Sequence, residues 1–352
     1  MSWKKIGLIL FAIVAVHAVV LFRILPKERK IPAEIPPPAK TEQDVSAPNE
    51  KAENPSAPLP PKTPPESSPA VKRLAPWNYR EQSALPADIA KHSSRARSGI
   101  LVDLESRKVL WSKDPRRPVA VASLTKLMTA LLVAEKMHHD RNWRWNTPLK
   151  VSKNVVNVER SCVLGMKEGE YYAVGELMQS MMINSHNDSA VMLAENVSDS
   201  VEDFVRMMNR RGKELGMNAP QFNSPNGLPQ GKKRINSFAS AEDISHICEA
   251  LIQYPKVMEL CTMRSAQLHT GKKVYSHNNL LLGPTKRQPK RQPVPGIIGF
   301  KTGFTNAAGC CLAFGVKRNG RTLIGCVTGF PSALDRDNFC REIIEWAYRK
   351  KP

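Results

Sequence analysis

Segments that alternate like β-strands lie at both ends of residues 98–348, and segments with helical spacing fill the middle, so a sheet built by this chain must join residues far apart in sequence. Residues 98–104 alternate apolar side chains and, past Glu105-Ser106-Arg107, Lys108-Val109-Leu110-Trp111 completes a predicted β-hairpin. Near the other end, residues 296–304, 310–317 and 322–328 read as strands, with Arg318-Asn319-Gly320 as a turn. Between them, residues 123–137 carry Leu124, Leu127, Met128, Leu131 and Leu132 in one helical stripe, and further helices are expected over 174–183, 189–197, 201–215 and 239–253. An amphipathic helix over 334–348 closes the pattern. The expected fold is α+β: an antiparallel sheet of N- and C-terminal strands, with a helical section inserted beside it.

The N-terminus follows different rules. Lys4 and Lys5 precede an apolar run at 6–22, interrupted by His17 and closed by Arg23. As a helix it spans roughly 25 Å, just short of the ~30 Å bilayer core, and Ile24 and Leu25 extend it. Residues 1–25 are therefore expected to be a membrane anchor or export signal. The anchor is preferred, because the run continues past Ala18 without a clean small-residue cleavage site. Residues 26–78 are rich in Pro, Ala, Ser, Glu and Lys and read as an extended linker, which leaves 79–352 as the catalytic domain.

The formal charge of +20 raises the question of nucleic acid. No zinc spacing, RNA-binding signature or basic heptad region supports that reading, and no nucleic-acid partner is expected. Residues 1–80 hold 12 basic and 7 acidic side chains, a net +5, so +15 of the +20 belongs to the remainder. An anionic envelope surface accounts for such a balance. The tandem Lys286-Arg287-Gln288-Pro289 and Lys290-Arg291-Gln292-Pro293 reads as a solvated loop, with contact to an anionic glycan or the membrane surface as the alternative. Seven cysteines without a C-x-x-C pair argue against a metal site. Several sit in apolar runs as buried thiols, and one disulfide stays open.

Three motifs carry the chemistry: Ser123-Leu124-Thr125-Lys126, Ser185-His186-Asn187 and Lys301-Thr302-Gly303. Ser123 and Lys126, three apart on the helix expected to start at Ser123, project from one face. A serine hydroxyl needs a base to take its proton, and a lysine can serve once burial and a second positive charge lower its pKa. Lys301 supplies that charge, each lysine depressing the other. Ser185 is placed to relay a proton to a leaving amine, and Asn187 to orient a lysine and hold a substrate amide. Helix capping is the structural alternative for these residues. Residues 299–304 read as an edge strand to which an extended peptide can add. Lys301 and Thr302 then meet a terminal carboxylate, Gly303 lets substrate approach, and the backbone amides of Ser123 and Phe304 form an oxyanion hole.

With these residues in place, the chain resembles the serine D-Ala-D-Ala carboxypeptidases, the low-molecular-mass penicillin-binding proteins with a β-lactamase/transpeptidase-like fold. Leu101-Val102-Asp103, residues 122–130, Asn187-Asp188-Ser189-Ala190, Asn226-Gly227-Leu228, Asn278-Asn279-Leu280-Leu281 and residues 299–303 all look like blocks of that family. The resemblance covers roughly residues 95 to 350. It implies acylation of Ser123 by peptidoglycan stem peptides ending in D-alanyl-D-alanine, and β-lactams as covalent inhibitors. It also implies no metal or organic cofactor and an extracytoplasmic (periplasmic-side) location, the membrane being reached through residues 6–25. His186 stands where a small residue is frequent; a passive cleft-wall residue is the more usual reading, with a titratable imidazole and pH-sensitive activity as the alternative.

Three other functions compete for these motifs. A class A β-lactamase needs an E-x-x-L-N glutamate, which is absent; Glu214-Leu215-Gly216-Met217-Asn218 matches only its ends. A non-catalytic wall-binding protein has no use for two lysines beside a serine. A DD-endopeptidase acting on crosslinks uses the same acyl-enzyme and is not separated by sequence.

Overall fold

The computed structural model describes residues 74–350 apart from 81, 160, 219 and 285–289. The anchor and most of the linker expected from the sequence, like residues 286–289 of the basic tandem, lie outside the described residues. No helix among those described is long and apolar enough to cross a membrane.

Five strands form one antiparallel sheet: β1 (Ser98–Asp103), β2 (Val109–Lys113), β3 (Ile297–Thr305), β4 (Gly309–Arg318) and β5 (Arg321–Phe330), in the order β2-β1-β5-β4-β3. β1 pairs directly with β5, Ser98 opposite Thr328 and Asp103 opposite Leu323, so the two ends of the domain meet as expected. Asn319 and Gly320 turn β4 into β5 with φ of 50° and 76°, the left-handed pair that matches strand twist in a two-residue hairpin. β3 is an edge strand.

Among the described residues, a one-turn helix at Lys153–Val156 accompanies α1 (Ala87–Ser93), α2 (Lys126–His139), α3 (Val174–Gln179), α4 (Asn187–Val197), α5 (Val201–Glu214), α6 (Ala241–Leu251), α7 (Pro255–Thr262) and α8 (Ala333–Arg349). Side-chain alternation divides the apolar interior into two. Ile100, Val102, Cys311, Ala313, Ile324 and Cys326 face the helical section, with Leu127, Leu131, Met192, Ile244 and Cys248 in the same cluster. Leu101, Leu312, Phe314, Val316, Leu323 and Val327 cluster instead with Phe339, Ile343 and Ile344 of α8. β1 is consequently buried along its whole length, because both faces of the sheet are covered. Each fully buried large aliphatic or Phe side chain contributes about 1.5–3 kcal/mol, so the two layers together hold β1 and β5 in register. Start signals are explicit: the hydroxyls of Ser200, Ser240 and Ser332 accept from the backbone N–H groups of Asp203, Asp243 and Asp335.

Four details differ from the sequence reading or settle what it left open. The helix expected to start at Ser123 is a 3-10 turn over Ala122–Thr125, and α2 begins at Lys126. The helix expected over 174–183 ends its α-helical part at Gln179 and continues as a π-turn over Ser180–Asn184. All seven cysteines are free. Trp77, at the last positions of the expected linker, is buried, its indole N–H donating to Ser245 Oγ at 2.9 Å while its ring stacks on His246.

Candidate active site

The nucleophile candidate occupies a strained corner. Ala122 has φ of 46°, a left-handed value for a residue with a Cβ, and the chain then tightens into the 3-10 turn holding Ser123. Gly227 allows this corner to be supported from behind. It has φ of 82°, and a Cβ built on it would lie 2.0 Å from the Ala122 carbonyl oxygen. Ser123 is half-buried.

Lys126 has no solvent exposure. Its Nζ lies 3.0 Å from Ser123 Oγ and donates to Asn187 Oδ1 at 2.7 Å and to the Asn226 carbonyl at 2.6 Å. Two of the three neighbours are carbonyl oxygens, which only accept. A neutral amine satisfies both with its N–H groups and keeps its lone pair for the Ser123 hydroxyl. Electrostatics favour that form: burial first, and then the positive charge of Lys301, push the Lys126 pKa well below its ordinary value.

Lys301 is itself buried in β3 and donates to the Thr302 carbonyl at 3.1 Å. Burial lowers its pKa to about 8, with Arg336 acting in the same direction. The expectation that each lysine depresses the other thus holds in one direction: Lys301 acts on Lys126, while Lys301 is governed by its own burial. Gly303 packs its backbone against the corner, and a Cβ there would meet Val121 O at 3.1 Å and Ser123 N at 3.2 Å. Thr302 is half-buried and Phe304 is 62% exposed at the rim.

Asn187 opens α4 and is clamped on both sides. Its Oδ1 meets Lys126, its Nδ2 donates to the Ser161 carbonyl at 2.5 Å, and its backbone N–H donates to the Cys162 carbonyl at 2.8 Å. Asp188, 2% exposed, extends the clamp by accepting from the N–H groups of Leu164 and Gly165, both at 2.9 Å. Ser185 is half-buried in a left-handed conformation with φ of 71°, between the π-turn and α4. His186 does not act as a titrating residue near neutral pH: it is 6% exposed, and burial lowers its pKa to about 4.

The three motifs therefore converge. Lys126 touches both Ser123 and Asn187, and Gly303 packs on the nucleophile turn. Sequence reasoning assigned no role to the Asn226 carbonyl, the Ser161–Gly165 strap or the exposed Cys162, whose Sγ–H donates to the Asn184 carbonyl at 3.1 Å. The only available signal for Asn226 was its membership of a family-like block, since a backbone acceptor leaves no trace in residue type.

A sheet edge beside a half-buried serine and a buried lysine defines the fold class of the penicillin-binding serine peptidases. Penicillin-binding protein D2 of Listeria monocytogenes, solved with ampicillin bound, superposes with a TM-score of 0.63 at 25% identity over 72% of this chain and 98% of that one. Penicillin-binding protein 3 of Streptococcus pneumoniae gives 0.66 at 26% identity, over 72% of each chain. Residues 84–332 match the D-alanyl-D-alanine carboxypeptidase family of peptidases, and the chain belongs to that family. It is 30% identical over 282 residues to the carboxypeptidase DacF of Bacillus subtilis, covering 78% of this chain and 67% of that protein. A D-alanyl-D-alanine endopeptidase of Escherichia coli is 29% identical over 215 residues, 61% of this chain and 65% of that protein.

Proposed function

We propose that the protein removes the terminal D-alanine from peptidoglycan stem peptides through an acyl-enzyme on Ser123. The observation that carries this reading is the Lys126 amine: unexposed, depressed in pKa, bonded to two carbonyl acceptors and 3.0 Å from the serine oxygen. Lys126 takes the Ser123 proton as Oγ attacks the carbonyl of the penultimate D-alanine. The backbone N–H groups of Ser123 and Phe304 stabilise the oxyanion, and Ser185 passes the proton to the leaving amine. Water then releases the shortened peptide. Lys301 and Thr302 bind the terminal carboxylate, with Gly303 leaving room for the substrate backbone at the β3 edge. β-Lactams acylate the same serine.

In the same reading residues 6–25 hold the domain at the outer face of the cytoplasmic membrane, which the apolar run and the location of the substrate support. Cleavage of crosslinks between stems is a second reading, supported by the similarity to endopeptidases.

The test uses the full chain in detergent, beside Ser123→Ala, with a fluorescent penicillin, a pentapeptide stem and a crosslinked dimer. Serine-dependent labelling with release of free D-alanine from the pentapeptide is the expected result. Cleavage of the dimer alone transfers the assignment to the endopeptidase. Folded protein that acquires no serine-dependent label removes the acyl-enzyme altogether.

A further inference from the structure

We propose that His186 is a positioning residue, holding Ser185 in its proton-relay geometry through a buried hydrogen-bonded link to Ser180 and Ser189. This rests on the role assigned to Ser185 above and adds a residue to it. Ser185 stands at a point where the chain has no regular support: α3 widens into the π-turn Ser180–Asn184, Ser185 takes φ of 71°, and α4 begins two residues later. A non-glycine residue in that region persists only where its surroundings fix it, and π-turns recur where a functional group must be aimed.

The fixing point is Ser180. Its carbonyl accepts the Ser185 N–H and, at 3.4 Å, the His186 N–H, so the backbone on both sides of the relay closes onto one oxygen. Its hydroxyl lies 2.8 Å from His186 Nδ1 and 2.7 Å from Ser189 Oγ, joining the π-turn to the residue after the relay and to the first turn of α4. Ser180 and Ser189 have no exposure and His186 has 6%, so no water competes for these bonds. The imidazole remains neutral because burial outweighs the pull of Asp188, with Lys272, His277 and Lys126 acting in the same sense as burial. It therefore serves as a fixed hydrogen-bonding strut. A small side chain at 186 would leave Ser180 Oγ with Ser189 alone and the left-handed residue held only by its backbone.

The experiment compares His186→Ala, His186→Asn, Ser180→Ala and Ser185→Ala, singly and with Ser185→Ala combined with each of the others, in the full chain. Penicillin acylation rates and the kcat and KM for D-alanine release are measured, with thermal melts alongside. Loss of one such bond predicts a decrease in acylation rate and kcat of about tenfold for His186→Ala and Ser180→Ala, with KM unchanged. Asn, whose amide occupies the Nδ1 position, restores most of the rate. In the Ser185→Ala background, removing His186 or Ser180 changes the rate by about twofold or less, because the residue they position is gone.

The inference is overturned if His186→Ala acylates like the wild type, if Asn is as slow as Ala, or if the tenfold loss persists undiminished without the Ser185 hydroxyl. Should His186→Ala lack a cooperative melt, Ser180→Ala and His186→Asn decide the same question with smaller perturbations. A wild-type chain that does not label at Ser123 defeats the proposed reaction itself. Normal labelling with a silent His186→Ala defeats only the positioning role.

Discussion

Asn187→Asp changes one atom and reverses the electrostatics on which Lys126 depends. The Asn187 Oδ1 lies 2.7 Å from Lys126 Nζ, with the two residues 3% and 0% exposed. A carboxylate there attracts an ammonium by roughly 6 kcal/mol at an effective dielectric constant of about 20. Desolvation of the new charge offsets much of this, as does its conflict with the Ser161 carbonyl, which now accepts from Asn187 Nδ2. The net effect expected for an opposite charge in contact is a rise in the lysine pKa of about one to three pH units.

The sign follows from the proton Lys126 must accept. Only the neutral amine is competent, so activity is present above the Lys126 pKa, and raising that pKa moves the acid limb of the profile upward. Below the wild-type Lys126 pKa, on the acid limb of the profile, the competent fraction falls by about 10- to 1,000-fold. The assay is the second-order rate of labelling by a fluorescent penicillin from pH 5 to about 10. Recovery of rate at high pH is the diagnostic feature. A variant with the wild-type limb, or with a loss independent of pH, would refute Lys126 as the base held neutral by its surroundings.

Gly227→Ala places a Cβ 2.0 Å from the Ala122 carbonyl at a φ of 82°, so a melting temperature lowered by several degrees and loss of penicillin labelling are expected; an unchanged melt refutes the close approach. Lys301, with its pKa lowered to about 8, loses its charge as the pH rises past that value, so KM for a peptide with a free terminal carboxylate is expected to increase above pH about 8. The same peptide with an amidated terminus provides the check, and an equal rise in its KM would remove Lys301 from carboxylate recognition.

Much of this fold was legible because it obeys local rules. Residues 310–317 and 322–328 alternate toward two different apolar layers, and Asn319-Gly320 is the turn that such strands need. The motif residues could be named because their chemistry resides in side-chain type. The corner at Ala122 could not be read: alanine has no preference for a φ of 46°, and the close packing behind it is permitted by Gly227, more than 100 residues away. The same holds for the Asn226 carbonyl and the π-turn, which depend on backbone placed by tertiary packing. The short hairpin of Ser265–Gln267 with Lys273–Tyr275 was missed because three-residue strands give too few alternations to register. His186 looked titratable by residue type, and only its burial shows otherwise.

The pairing of β1 with β5 also sets the order of events during synthesis. The Thr328 hydroxyl reaches the Ser98 carbonyl across 230 residues of sequence. As the chain leaves the ribosome, the first hairpin emerges with one edge open and must wait for nearly the entire domain before its neighbour arrives. During that interval Ile100, Leu101 and Val102, all unexposed at the end, have no strand to receive them. Lys301 emerges in the same late stretch as the strands that complete the sheet. A chain interrupted before β3 thus carries Ser123 and Lys126 but neither a finished core nor the second lysine, so the proposed site can assemble only when synthesis of the domain is almost complete.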